Sequence, residues 1–146
     1  MASGLSRREW AAGAGGAALV AQLFVLRALG AATETSVWFA GRELQWGCAV
    51  RRVFGVPCPS CGLTRSVVLT VHGQLETAFA LNPAGPLYVL GMLLLGAALF
   101  AVMLRPLVRE RAPGADFPRR LLLSASAYGG LVVATMLVNW LVVVAR

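Results

Sequence analysis

Three long apolar runs alternate with polar segments along this chain of 146 residues. They extend from Ala11 to Ala32, from Leu87 to Leu104 and from Leu121 to Ala145. About twenty apolar residues are needed to cross the hydrocarbon core of a bilayer as an α-helix. In lipid the backbone polar groups must be satisfied within the chain, and these runs lack the alternation of barrel strands. The pattern therefore predicts an all-α membrane protein with three transmembrane helices in a single domain, residues 1–146.

A shorter periodic segment lies between the first two runs. From Ser66 to Leu81 apolar residues recur at three- and four-residue spacing, with polar residues mostly opposite, which predicts an amphipathic helix. Its length and its polar residues, His72 among them, make it unsuited to spanning. We expect it in the membrane interface or as a re-entrant element. Asn82-Pro83 should end it, because the residue before proline disfavours the α conformation.

The composition supports a bilayer environment. The chain is 58% hydrophobic and 13% charged, with a mean hydropathy of +0.74, and so has too little polar material to coat a water-soluble globule. Its net charge of +7 comes from thirteen basic residues, all arginine, against six acids. Because no basic stripe with interleaved aromatic residues occurs, the charge does not predict nucleic-acid binding.

The arginines instead predict a topology. Arg7 and Arg8 precede the first run, and five more crowd the short segment between the second and third runs: Arg105, Arg109, Arg111, Arg119 and Arg120. Short arginine-rich loops stay in the cytoplasm. We therefore expect a multi-pass protein with a cytoplasmic N-terminus and an extracytoplasmic segment between the first two spans.

The N-terminus also resembles a twin-arginine export signal, since SRREW at residues 6–10 precedes a Gly- and Ala-rich apolar run. A signal of this kind would be cleaved. However, Arg27 interrupts the end of the run, the run is long, and only Gly30-Ala31-Ala32 loosely fits a cleavage site. We therefore favour a retained first span, with Arg27 extending to the outer interface.

The segment whose side chains are best suited to binding or catalysis is a cysteine knuckle, which we define as residues 57–62, PCPSCG. Its prolines fix φ on both sides of Cys58, and Gly62 can adopt a positive φ. With an earlier cysteine the spacing is C-x9-C-x2-C. A structural zinc site needs four protein ligands, and the local supply is Cys48, Cys58, Cys61 and His72. These four residues are the candidate metal ligands.

Two other interpretations of the cysteines remain open. Two of the three cysteines could form a structural disulfide in an oxidising compartment. Alternatively, Cys58 and Cys61 form a C-x-x-C redox motif, in which a helix N-terminus and Arg65 would lower a thiol pKa. The βαβ pattern of thioredoxin-like enzymes is absent, and no carboxylate pair or Ser/His/Asp set occurs. We therefore predict no catalytic residue.

The motif resembles a family of small bacterial integral membrane proteins, the domain of unknown function 2752 type. The signature is a cysteine, then P-C-P-x-C-G-x-T-R, then a histidine or arginine before glycine, and N-P. The matching residues are Cys48, Pro57, Cys58, Pro59, Cys61, Gly62, Thr64, Arg65, His72, Gly73, Asn82 and Pro83. The resemblance extends from Cys48 to Leu104. The chain departs from the family pattern at Ala49, where a proline usually follows the cysteine, and at Gln74, where the signature has aspartate or asparagine. It implies a bacterial membrane protein and supplies no activity.

These observations together favour a non-enzymatic accessory or scaffold subunit of the bacterial cytoplasmic membrane. Its knuckle, within a motif and helix unit of residues 48–83, would be stiffened by zinc or by a disulfide. Its spans would contact lipid and pack against a membrane protein partner or another copy. The alternatives are a membrane thiol oxidoreductase that uses Cys58 and Cys61, and a small transporter or channel subunit that functions as an oligomer.

Overall fold

The computed structural model describes residues 7–33, 35–44, 48, 53–55, 58–104 and 117–145. From the N-terminus its elements are α1 (Arg7–Leu29), β1 (Gly30–Ala32), β2 (Val37–Phe39), β3 (Arg42–Glu43), α2 (Leu63–Val71), α3 (Leu75–Leu81), α4 (Ala84–Leu104) and α5 (Phe117–Val144). The fold is mostly helical. Three helices, α1, α4 and α5, are long and apolar enough to cross a membrane, so the predicted fold class is confirmed.

The first two spanning helices pack antiparallel through glycines. A Cβ atom on Gly16 would lie 2.8 Å from the carbonyl oxygen of Gly96, and a Cβ atom on Gly96 would lie 3.1 Å from Val20. Glycine therefore allows a backbone approach that any larger residue would obstruct. Nearer the cysteine knuckle, Leu23 of α1 and Met92 of α4 belong to one buried apolar cluster.

Tyr128 of helix α5 packs against α4. A Cβ atom on Gly91 of α4 would lie 2.4 Å from the ring of Tyr128, so the ring occupies the space that this glycine leaves. The Tyr128 hydroxyl donates a hydrogen bond to the carbonyl oxygen of Leu87. Most of the other side chains of α5 are exposed. Tyr128 therefore places α5 against the first half of α4.

The segment predicted as one amphipathic helix is divided into α2 and α3. Gly73, with φ of 82°, follows the C-cap residue His72. The amide of Gly73 donates to the carbonyl oxygen of Thr70 at 2.9 Å, and that of Gln74 donates to Leu69 at 2.9 Å. These two bonds form a Schellman motif, which ends α2. The periodicity continues across the break, which is why it suggested a single helix.

A small antiparallel sheet, in the order β1-β2-β3, was not predicted from the sequence. Gly30 pairs with Phe39 and Ala32 with Val37, so the end of the first apolar run is a strand rather than helix. Ala40 and Gly41 connect β2 to β3, and both have positive φ, as a two-residue type I′ hairpin requires. Strands of two or three residues are too short to produce a recognisable alternation.

Candidate functional site

The three cysteines converge on one point beside the start of α2. The Sγ atoms of Cys48, Cys58 and Cys61 all lie within 4.8 Å of one another. Those of Cys58 and Cys61 are 3.0 Å apart. All three side chains are half-buried. We call this group the three-sulfur cluster. The structure therefore brings together three of the four candidate metal ligands.

The local backbone aims the last two thiols at the same point. The amide of Cys61 donates to the carbonyl oxygen of Cys58 at 3.0 Å, and the amide of Cys58 donates to the Sγ atom of Cys61 at 3.2 Å. Gly62 follows with φ of 83° and leads into α2. This left-handed conformation favours glycine. A Cβ atom there would also lie 3.3 Å from the carbonyl oxygen of Leu81.

The environment of Cys61 favours its neutral form. Burial raises the pKa of the Cys61 thiol from 9.0 to about 12, and hydrogen bonding with Cys58 and Cys48 acts in the same direction. The backbone hydrogen bond from Cys58 opposes them. A thiol with a raised pKa is a poor nucleophile at neutral pH, because the thiolate is the attacking species. A bound cation would reverse this preference, since a coordinating thiol is deprotonated.

Two buried polar residues connect the cysteine knuckle to α4. Asn82 and Ser66 are both 0% exposed. The Asn82 side chain donates from Nδ2 to the carbonyl oxygen of Cys61 at 3.3 Å and accepts at Oδ1 from the amide of Ala84 at 3.1 Å. The Ser66 hydroxyl is positioned to donate to the carbonyl oxygens of Ala78, at 2.8 Å, and Asn82, at 2.7 Å. Their polar groups are therefore satisfied within the fold.

His72 has other partners. Its Nδ1 atom lies 2.7 Å from Nη1 of Arg27, and its Nε2 atom lies 2.8 Å from the carbonyl oxygen of Gly30. A guanidinium only donates and a carbonyl oxygen only accepts, so Nδ1 is the acceptor and Nε2 carries the proton. Both ring nitrogens are thus engaged between α1 and β1. The structure does not bring His72 into the three-sulfur cluster.

The remaining described motif residues are not part of the three-sulfur cluster. Pro57 lies outside the described residues. Pro59 and Pro83 are half-buried in turns, and Thr64 is exposed in α2. Arg65 is half-buried, and its Nη2 atom would lie 3.8 Å from a Cβ atom on Gly62. Within the described part of the chain, the Arg65 side chain has no hydrogen bond or ion pair.

Three supporting residues carried too weak a signal in the sequence. Ser66 was assigned only to the start of a helix, and Arg27 was expected to reach lipid headgroups rather than His72. In the sequence, Gly85 precedes Pro86 and indicates only a helix break. A Cβ atom on Gly85 would lie 2.1 Å from Oγ of Ser66, so these two residues must be small together. The only indication of this contact in the sequence is that both residues are small and that Gly85 closely follows Asn82-Pro83.

The separations suit a metal ion bound by sulfur. Three thiolates at about 2.3 Å from one ion stand roughly 3.8 Å apart in tetrahedral geometry. The cluster has one separation of 3.0 Å and none above 4.8 Å, which brackets that value. Thiolates select soft or borderline ions such as Cu(I) and Zn(II). The group can therefore close around one ion through small side-chain rotations.

The comparisons with known proteins agree with the motif. Neither a curated protein nor a solved structure matches the chain. Residues 48–96 match the family model described as Protein of unknown function (DUF2752). That segment contains the three-sulfur cluster, α2, α3 and the first part of α4. The resemblance is thereby confirmed for residues 48–96, the part of the chain that is similar to this family.

Proposed function

We propose that this protein is a non-enzymatic accessory or scaffold subunit of the bacterial cytoplasmic membrane, whose three-sulfur cluster binds a soft metal ion. The observation that carries the proposal is the convergence of Cys48, Cys58 and Cys61 within 4.8 Å. Cys48 is ten residues before Cys58 in the sequence, so the approach is not a consequence of the C-x-x-C turn alone. The bound ion would fix the segment around Cys48 to the knuckle.

The framework around the cluster supports a structural role for the ion. Asn82 joins the carbonyl oxygen of Cys61 to the first amide of α4. An ion held by the three sulfurs would therefore extend this buried connection to the segment that carries Cys48. The outcome is a stiff, half-exposed surface at one end of the spanning helices. A surface of this kind is suited to holding a partner rather than to turning over a substrate.

Helix packing supports an extracytoplasmic position for the cluster. Antiparallel α1 and α4 put the C-terminal end of α1 beside the knuckle, and Arg7 at the opposite end. We assign Arg119 and Arg120, at the start of α5, to that same opposite end, because only a short segment separates them from Leu104 at the end of α4. The positive-inside rule assigns an arginine-rich end to the cytoplasm. The three-sulfur cluster would then face the outer side of the membrane.

Helix α5 is our proposed contact with a membrane partner or another copy. None of the residues in its most apolar 18-residue window is buried. Tyr128 fixes one face of α5 to α4. A Cβ atom on the next residues, Gly129 or Gly130, would meet nothing within 4 Å. Small residues permit close helix packing in lipid. Co-purification from native membranes, compared between the wild type and Gly130→Leu, tests this contact.

Metal analysis of the full chain tests the central proposal. The protein would be purified in detergent under a reductant that lacks thiols, loaded with Zn(II) or Cu(I), and freed of excess metal. We expect one ion per chain in the wild type and in Ser60→Ala, which alters the same turn but keeps all three sulfurs. Cys61→Ser should lose the ion. If the wild type retains no stoichiometric metal of either kind, the proposal is wrong.

The same protein distinguishes a thiol oxidoreductase, which the 3.0 Å separation of Cys58 and Cys61 favours. Oxidation of this pair would form one S–S bond and release two electrons and two protons to an acceptor. Acid trapping and alkylation in cells would then find a mixture of dithiol and disulfide that changes with the supply of acceptor. A pair that stays in one state under all growth conditions supports the scaffold instead.

A further inference from the structure

The ligand supply around the three-sulfur cluster is limited to sulfur. The chain has three cysteines, and all of them are in the cluster. Among the described residues, no histidine, aspartate or glutamate joins the group. The sequence from 44 to 71 contains no histidine and no acidic residue, so the undescribed neighbours of Cys48 do not add one.

The titratable side chains that flank this segment in the sequence, Glu43 and His72, already have hydrogen-bond partners. Arg27 and the carbonyl oxygen of Gly30 occupy both ring nitrogens of His72. Glu43 accepts a hydrogen bond from the hydroxyl of Ser36 at 2.6 Å. Recruiting His72 as a fourth ligand would break two hydrogen bonds that join α2 to α1 and β1. The ligand set that the fold supplies is therefore three thiolates.

We infer that the cluster is a three-coordinate site for a monovalent thiophilic cation of the Cu(I) class, rather than a closed four-ligand zinc site. This inference rests on the proposed function, because it specifies the ion that the scaffold binds. Structural zinc is almost always bound by four protein ligands, whereas thiolates select Cu(I) among the soft ions. A d10 monovalent ion is satisfied by three sulfurs in a plane. A site with three sulfur ligands therefore favours Cu(I) over Zn(II).

The charge around the cluster fits the same assignment. Three thiolates and one monovalent cation leave a net charge of −2 at the site. Arg65 lies beside the knuckle, half-buried and with no ion pair among the described residues. A guanidinium beside the knuckle offsets part of this negative charge. Arg65 is therefore assigned as a positioning residue of the loaded site, not as a ligand.

Competitive loading of the full chain in detergent tests this inference. Cu(I) would be supplied as its bicinchoninate complex under an inert atmosphere, and Zn(II) in a parallel titration with a chromogenic chelator. We expect one Cu(I) per chain, with only sulfur neighbours in X-ray absorption spectra. Each of Cys48→Ser, Cys58→Ser and Cys61→Ser should weaken Cu(I) binding at least tenfold. His72→Gln is the matched control and should leave affinity and spectrum unchanged.

Other outcomes separate the inference from the proposed function. One Zn(II) per chain with a nitrogen neighbour that disappears in His72→Gln overturns the Cu(I) assignment and leaves the metal-bound scaffold standing. Copper that binds in excess of one ion, or that survives all three serine variants, also overturns the assignment. If neither ion is retained, both proposals fail. Arg65→Gln should weaken Cu(I) binding while thermal stability of the metal-free protein stays the same.

Discussion

Asn82 donates a hydrogen bond from its side-chain amide to the carbonyl oxygen of Cys61, across 3.3 Å and between residues 21 positions apart in the sequence. The same side chain accepts a hydrogen bond from the amide of Ala84. Asn82 is fully buried. The Asn82 side chain thus joins the cysteine knuckle to the first turn of α4. The position of the knuckle therefore depends on the position of α4.

Asn82→Ala should therefore reduce both stability and metal affinity. The substitution leaves the amide of Ala84 without its side-chain partner in a buried environment, which costs about 1–3 kcal/mol. It also releases the carbonyl of Cys61, so the loaded site should lose affinity. Thermal unfolding in detergent and the Cu(I) titration measure the two effects. Gln74→Ala, an exposed residue without a side-chain capping bond, is the control. Equal affinity in both variants would contradict the coupling.

The two neighbouring glycines of α1 should differ sharply. A Cβ atom on Gly16 would lie 2.8 Å from the carbonyl oxygen of Gly96, whereas the nearest atom to a Cβ on Gly15 is 3.9 Å away. Gly16→Ala must push α1 and α4 apart, and overpacking of this kind costs about 1–3 kcal/mol. Gly15→Ala should be neutral or slightly stabilising because alanine favours helix. Similar melting temperatures for the two variants would contradict the packing.

The spanning helices were predictable because the hydrocarbon core of a bilayer permits few backbone conformations. Each run must satisfy its own backbone groups, so hydropathy alone indicates a helix. The prediction failed where that constraint ends. At Gly30 the chain leaves α1 to pair with Phe39, and at Gly73 the Schellman motif divides α2 from α3. Both events depend on backbone hydrogen bonds, and an apolar pattern contains no information about them.

The candidate site was only partly predictable for a related reason. The C-x-x-C spacing identifies Cys58 and Cys61 as neighbours, since two residues in a turn hold the thiols together. The approach of Cys48 depends on the tertiary path of the chain. His72 entered the predicted ligand set because it is the only histidine, yet its partner Arg27 lies 45 residues earlier. Periodicity and composition cannot reveal a contact across that distance.

Arg27 and His72 should be energetically coupled. Their hydrogen bond ties the C-cap of α2 to the last turn of α1, and Arg27 is exposed, so the coupling should be modest, at about 0.5–1 kcal/mol. A double-mutant cycle with Arg27→Ala and His72→Ala, followed by thermal unfolding, measures it. The pair Arg27→Ala and Gln74→Ala, which share no hydrogen bond, should be additive. Additivity in the first cycle would show that the contact contributes nothing to stability.

Gly62 and Gly73 allow the cost of backbone strain at positive φ to be separated from the cost of a steric contact with an added Cβ atom. Both have φ near 82°, so alanine at either position costs about 1–2 kcal/mol in the left-handed region. Around Gly73 a Cβ atom meets nothing within 4 Å, but at Gly62 it would press on the carbonyl oxygen of Leu81 at 3.3 Å. Gly62→Ala should therefore be the less stable variant. It should also weaken metal binding, because Gly62 adjoins Cys61, whereas Gly73→Ala should not.

The proposed topology predicts which thiols a membrane-impermeant maleimide can reach. In reduced, chelator-treated spheroplasts, Cys58 of the Cys48→Ser/Cys61→Ser variant should be labelled without lysis, because the half-buried knuckle lies at the end of the bundle opposite Arg7 and Arg119. The control is Arg119→Cys in a chain whose three cysteines are replaced by serine, and it should be labelled only after lysis. Labelling of Arg119→Cys in intact spheroplasts, with Cys58 protected, would invert the topology. The metal supply would then have to be cytoplasmic.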